Sequence, residues 1–466
     1  EYGLIGILGD QRSTKMSNHW FLERVEDTPR ESSACLLAMG ASTILATRCV
    51  CSLPKSYIRP ESFAFTLLLS AIGAIAPLSI DMGLPALSGI SHSLGVPQGT
   101  AALTLSLFMI GFGIGPMALG PLSDRYGRKP VLVAGLSVFV VSGILCAAAN
   151  SIGMLLVARL VQGAGAGSGV TLIFAIVRDL FEGAVARARL SHMSLVLYIA
   201  PMIAPTLGVW VAALGGWRAI YAFLAVAGVA VLTLVTAGFR ESNLRLAQGG
   251  TQPLLASYGR FFSNRISVGY SAIGALSFGC IFAYVSGSPF VLLSLLHVSP
   301  NVYGLVFAFT SSGLMAGALV NGRLSSRGVA HTPPLVAGLL VSVGSTLALV
   351  ALTLLDMVSL ASILPFFALN TFAIGLLAPN ATHGALHPVP EIAGVASALL
   401  NLLRMMCGAL ASALVAFLYD GHTALAMTGS MAGFALASLA VYLFVIRSAE
   451  REPHRSEREL AVEPVS

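Results

Sequence analysis

The sequence predicts an all-α membrane protein of twelve transmembrane helices in two six-helix, pseudo-symmetric halves. Three observations predict it. Of 466 residues, 56% are hydrophobic and 10% charged, against about 25% charged in a soluble domain. With a mean hydropathy of +0.85, that composition excludes soluble globular, disordered, coiled-coil and disulfide-framework chains. A spanning helix with its connection takes about 30 residues, because the hydrocarbon core needs about 20 apolar ones, and the stretch from Ser62 to Ile446 holds twelve such units. Finally, basic residues recur in every second loop.

Apolar runs place helices 1 to 6 at 63–85, 100–120, 131–149, 153–176, 192–213 and 219–238. Helices 7 to 12 follow at 266–288, 302–321, 334–354, 359–379, 394–417 and 424–446. The longest polar segment of this body, Arg240 to Arg265, separates a bundle at 62–239 from one at 266–446 and reads as a cytoplasmic linker; 447–466 is a cytoplasmic tail. Residues 1–61 are polar, then modestly apolar from Ala34 to Thr47, a run too short for a normal span. They are expected to form a loosely ordered cytoplasmic extension, or upstream sequence with a natural start nearer Met16, because the first residues lack the basic start of a secretory signal.

Orientation follows from the arginines and lysines of short loops, which stay on the cytoplasmic side. Loop 2/3 carries Arg125, Arg128 and Lys129; loop 4/5 carries Arg178, Arg187 and Arg189; loop 8/9 carries Arg323 and Arg327; the linker and tail are also basic. The odd-numbered loops hold only Arg218. Both termini are therefore expected in the cytoplasm, with the chain in the inner membrane. The net charge of +6 reflects these loops and does not imply a nucleic-acid partner. The six cysteines lie apart, without CxxC or metal-ligand spacing, and read as small apolar fillers. Neither a metal nor a cofactor is expected, and without GxSxG, HExxH or a GxxxxGK[ST] loop nothing points to an enzyme or an ATP-driven machine.

Loop 2/3 reads Gly120-Pro121-Leu122-Ser123-Asp124-Arg125-Tyr126-Gly127-Arg128-Lys129. Two glycine-assisted turns would hold a short basic loop against the bilayer, with one carboxylate among basic neighbours and helix ends. The string resembles the major facilitator superfamily signature GxLxDRxGRK. A weaker echo, Gly317 to Gly328 with Asn321 and Arg323, falls at loop 8/9 and suggests a duplicated six-helix unit. Helix 4 carries Arg159-Leu160-Val161-Gln162-Gly163-Ala164-Gly165-Ala166-Gly167. Its glycine pairs permit close helix packing, and Arg159 must face a cavity or partner because a guanidinium inside a span costs about 2.5–3.5 kcal/mol. The string is similar to that superfamily's RxxQGxGxA motif, which implies a part in proton transfer for Arg159. Helix 5 carries Pro201, Pro205 and Gly208 ahead of Gly216-Trp217-Arg218; two prolines would kink it. It partly resembles the antiporter motif GPxxGG, with Ala204 and Val209 in place of glycines.

Helix 1 ends in Leu78-Ser79-Ile80-Asp81-Met82-Gly83-Leu84-Pro85-Ala86. Asp81 is its one carboxylate; shielding from water disfavours the charged form and would let it exchange a proton near neutral pH. The alternative places it at the outer rim, capping the turn before Pro85. Together with Arg178-Asp179, Tyr284 to Phe290 and Ala378-Pro379-Asn380 after helix 10, this end resembles the bicyclomycin and chloramphenicol resistance subfamily (Bcr/CflA) of the drug:proton antiporter branch.

The resemblance implies a proton-coupled secondary transporter, working by alternating access as a monomer and exporting small amphiphilic drugs such as chloramphenicol- or bicyclomycin-like compounds by drug:H+ antiport. The alternative is a proton-coupled transporter of a specific metabolite, an amino acid or a sugar. Asp81 and Arg159 would couple protons. Gly120, Asp124, Arg125, Gly127, Arg128, Lys129, Arg178 and Asp179 would form a cytoplasmic gate, closing near Glu391 at the start of helix 11. Tyr198, Phe278, Phe282, Tyr284, Phe366 and Asn370 are cavity candidates or else core, and Arg404 either lines the cavity or snorkels toward the helix end.

Overall fold

A computed structural model describes residues 57–242 and 254–448, all within the unit Lys55–Ser466. Among the described residues there are helices, turns and connections but no strand. Most of the 1–61 extension, the linker between 243 and 253, and the tail beyond 448 lie outside the described residues.

The first half comprises α1 (Phe63–Asp81), α2 (Gln98–Tyr126), α3 (Arg128–Ala147) and α4 (Ile152–Leu180), followed by the continuous segment Gly183–Gly238. That segment leaves helical geometry at Gly215 and at Gly216, whose φ is +68°. Because the left-handed region suits glycine, the chain reverses there, giving α5 (183–214) and α6 (217–238). The second half comprises α7 (Arg265–Pro289), α8 (Pro300–Ser326), α9 (Thr332–Leu354), α10 (Leu360–Leu386), α11 (Ala393–Leu418) and α12, which runs from Leu425 to Ile446. Eleven continuous helices are long and apolar enough to cross a membrane, one of them the folded-back Gly183–Gly238, so the described chain supplies twelve crossings.

Large side chains such as Leu214, Phe417 and Phe444 face outward, each at least 77% exposed, while serines, threonines, asparagines and Arg159 lie inside. Such a distribution suits hydrocarbon surroundings, where packing and polar groups rather than apolar burial join the helices.

Glycines set the closest approaches. A Cβ at Gly163 would collide with the Phe108 carbonyl and one at Gly111 with the Leu160 carbonyl, joining α2 to α4 backbone to backbone. Phe108 lies beside Gly163 and Phe112 beside Gly167, so these two helices run in the same direction. The second half repeats the crossing: Gly375 meets the Leu314 carbonyl and Gly317 the Phe372 carbonyl. One constant offset in number carries Phe108 and Gly111 onto Leu314 and Gly317; another carries Leu160 and Gly163 onto Phe372 and Gly375. The duplication is thus present in the packing itself.

This register corrects two sequence expectations. Gly317 and Asn321 lie inside α8 rather than in loop 8/9, and Gly317 is the counterpart of Gly111, not of Gly120. Pro379 and Asn380 lie inside α10, which continues to Leu386 instead of ending at 379. The backbone keeps helical φ/ψ through Pro201 and Pro205, and the reversal of the segment falls at Gly215–Gly216.

The halves meet from the end away from the basic loops down to mid-span, where Gly113 of α2 packs on Leu402 and Met405 of α11. Gly99 of α2 approaches the Ala416 carbonyl of α11, Gly304 of α8 packs on Thr206 of α5, and Leu84 and Pro85 face Pro289 and Phe290. At this end Arg218 donates to the Ala149 carbonyl at 2.9 Å and to Ser93 Oγ at 3.2 Å, fastening the α5–α6 turn to neighbouring connections.

Candidate functional site

Asp81 is the last residue of α1 and is 5% exposed, which rules out the outer-rim cap. Among the described residues its carboxyl group has no hydrogen bond or ion pair, and it lies within electrostatic reach of Tyr284 on α7 and Tyr303 on α8. Those phenols are occupied within their own half: Tyr284 shares a 2.7 Å hydrogen bond with Thr310 and Tyr303 a 3.1 Å bond with Ser288. On the other side of α1, Gly208 lets α5 approach, for a Cβ there would fall 2.9 Å from Met82 Cα. The glycine of the predicted antiporter motif therefore seats the end of helix 1 rather than bending helix 5.

Arg159 is 3% exposed and makes no ion pair with Asp81. Its Nη2 donates to the Ser79 carbonyl at 3.0 Å, Nη1 to Gln162 Oε1 at 2.8 Å and Nε to the Thr104 carbonyl at 3.4 Å. The guanidinium also lies 4.2 Å from the Phe108 ring centroid and 5.4 Å from that of Tyr221. Carbonyls and ring faces thus satisfy the buried cation without a carboxylate. The α4-to-α10 offset carries Arg159 onto Thr371, whose hydroxyl donates to the Thr310 carbonyl at 2.6 Å, the counterpart of Thr104. One scaffold thus holds a cation in the first half and a neutral hydroxyl in the second.

At the basic end, Arg128 pairs with Asp124 at 2.6 Å and with Asp179 at 2.8 Å, and its Nη1 donates to Ser123 Oγ at 2.6 Å. Here too the expected geometry needs correcting. Helix α2 continues through Gly120 to Tyr126, a Cβ at Gly120 meets nothing, and only Gly127, at φ +102°, makes the turn. Arg125 and Arg178 point outward, and among the described residues Arg178 makes no polar bond.

Sequence reasoning missed Glu241, just beyond α6. Its carboxylate accepts the Arg128 N–H at 2.8 Å and the Lys129 N–H at 2.9 Å, capping α3 where unpaired amides and the helix dipole favour an anion. Lys129 Nζ in turn donates to the Thr236 carbonyl at 3.0 Å. The signal was available: an acid directly after the sixth span and ahead of the basic linker. Glu391, expected near the gate, pairs with Arg260 at 2.9 Å, both exposed.

The cavity candidates separate. Tyr198 of α5 is 39% exposed and within electrostatic reach of Arg404 on α11. Phe278 and Phe282 pack as a tilted pair with centroids 4.6 Å apart, and Tyr284 packs on Phe367 at 4.7 Å. Phe366 is half-buried at the edge of the core. Asn370 is fully buried and accepts from Ser342 Oγ at 2.8 Å, so it joins α10 to α9 inside the second half and does not line a cavity.

Two six-helix halves around a buried acid and two interior guanidiniums define a multi-pass membrane transporter, not an enzyme. A family model described as Major Facilitator Superfamily matches residues 69–412, and the chain belongs to that superfamily. It is 27% identical to the bicyclomycin resistance protein homolog of Haemophilus influenzae, over 83% of this chain and 96% of that one. Identity to multidrug resistance protein D of Escherichia coli is 26%, covering 86% and 99%, and to a chloramphenicol resistance protein of Pseudomonas aeruginosa 29%, covering 72% and 79%. A solved D-xylose–proton symporter shares the fold with a TM-score of 0.65 at 16% identity, covering 82% of this chain and 98% of its own.

Proposed function

We propose that this protein exports small amphiphilic compounds of the chloramphenicol or bicyclomycin kind in exchange for protons, as a monomer in the inner membrane with both termini in the cytoplasm. The names of its relatives support the substrate class, and the basic loops support the orientation. The observation that carries the coupling is Asp81: a carboxyl group without a polar partner among the described residues, at the place where α1 of one half meets α7 and α8 of the other. Sealing this end shuts the carboxyl group off from water, and opening it to the outside lets it exchange a proton. Arg159, bonded to the Ser79 carbonyl, holds the last turn of α1 in place and acts on Asp81 through the backbone. At the opposite end, Arg128 with Asp124 and Asp179 holds α2, α3 and α4 as one body, and Glu241 ties the linker to it.

One charge crossing 100 mV supplies about 2.3 kcal/mol. At about 1.4 kcal/mol per tenfold, one proton sustains roughly a fiftyfold substrate gradient. In acid-inside proteoliposomes the wild type is expected to accumulate chloramphenicol against its gradient, while Asp81→Asn only equilibrates it. Accumulation by Asp81→Asn equal to wild type removes the coupling role.

A further inference from the structure

Arg159 and Arg404 are both guanidiniums within helix interiors, but their surroundings differ. Every nitrogen of Arg159 has an acceptor, and two aromatic rings flank it. Among the described residues Arg404 makes a single hydrogen bond, from Nη2 to Thr382 Oγ1 of α10 at 2.5 Å. A guanidinium offers five N–H donors. Among the described residues no carboxylate and no carbonyl takes the others. Gly274 of α7 packs against the guanidinium, since a Cβ placed there would lie 3.5 Å from Nη2 and 3.6 Å from Nε, but it supplies no acceptor side chain. Across from it, Tyr198 comes from the other half and is 39% exposed. Arg404 is the twelfth residue of α11, counted from Ala393, about 16 Å along the helix at 1.5 Å per residue.

We infer that Arg404 is the substrate-charge selector and that the cargo presents negatively charged or partially negative oxygens, those of a carboxylate, phenolate or nitro group on an apolar body, rather than a cation. The inference deepens the transport reading and rests on it for the word cargo; the binding preference itself does not depend on proton coupling. Interior electrostatics agree. Away from the basic end Asp81 is the single carboxylate of the described spans, and with it protonated the two guanidiniums leave the interior positive. A cationic amphiphile entering beside Arg404 meets like charge in a low-dielectric setting, whereas an anion completes unused donors with charge-assisted bonds.

The test uses two dyes on the same xanthene core, anionic fluorescein and cationic rhodamine 6G. They are titrated by fluorescence polarisation against the purified full chain without a proton gradient. Wild type is expected to bind fluorescein at least tenfold more tightly. Arg404→Gln should weaken fluorescein about ten- to hundredfold, the range for a bond to a charged group, and leave or improve rhodamine binding. Arg404→Lys should retain part of the preference, which shows that the site still folds. Equal binding of both dyes by wild type, no binding of fluorescein, or the same loss for both dyes in Arg404→Gln overturns the inference. Failure of the coupling reading is read separately: if Asp81→Asn still drives uphill transport while fluorescein selectivity persists, coupling falls and the charge selector stands.

Discussion

At the scale of single residues, the informative contrast is between acids that cap and acids that are left alone. Glu241 accepts two amides at the start of α3, so Glu241→Ala is expected to cost about 0.5–2 kcal/mol, the usual range for a lost cap, and to lower the thermal midpoint in detergent; Glu241→Gln, which keeps an acceptor, should recover part of it. Asp81 has no such duty, so Asp81→Asn should leave the midpoint nearly unchanged while abolishing accumulation. The sequence made Asp81, Arg159 and the Arg128 cluster legible because charges are rare in an apolar chain and each needs a reason. Glu241 was hidden by its place in a polar linker, where an acid needs none. Partners were also illegible: nothing in the string of letters says that Arg159 reaches a carbonyl of α1 rather than the acid two residues on, since that depends on how helices pack.

At the scale of elements, span number and the division into halves could be read from apolar run length and basic loops. Helix ends could not, because α2 and α10 continue as helices past the bilayer-length apolar run into polar sequence. Glycine spacing in α4 correctly announced close packing, but which backbone it met came only from the structure. Substituting Gly163→Ala should destabilise the protein although alanine favours helix, because its Cβ falls on the Phe108 carbonyl. Gly344→Ala on α9, with nothing near its Cβ, should be neutral or stabilise by up to about 1 kcal/mol. Opposite signs in thermal melts check this. The α11–α12 connection carries a pH-sensitive element: Asp420 accepts the His422 and Thr423 amides at 2.9 Å, bonds that hold its carboxyl down at about 2. Because the folded form favours the charged carboxylate, its support of this turn is full above the ordinary range near pH 4 and disappears as pH falls toward 2. Amide exchange at 422 and 423, corrected for intrinsic rate, should speed up over that window and be fast at every pH in Asp420→Ala.

At the scale of the whole molecule, contacts between halves run from the end that holds Asp81, with Gly99 against Ala416 and Gly304 against Thr206, to mid-span, where Gly113 of α2 meets Leu402 and Met405 of α11. Cysteines at Ser88→Cys and Ser294→Cys, which line one crevice between the halves at the Asp81 end, joined by a short thiol cross-linker, are expected to stop transport in proteoliposomes and a cleavable linker to restore it on reduction; continued transport with the link intact would show that this seam need not part. The repeated crossings, Gly163 on Phe108 and Gly375 on Leu314, bring the matter of turnover into view. Where two helices touch through main chain alone, there are no long side chains to slide or re-choose rotamers, so each six-helix body offers little internal give. The activation barrier of a cycle then belongs to the narrow seam between the bodies, and lipid composition should alter speed chiefly by how it squeezes that seam, leaving the interior of either body as it was.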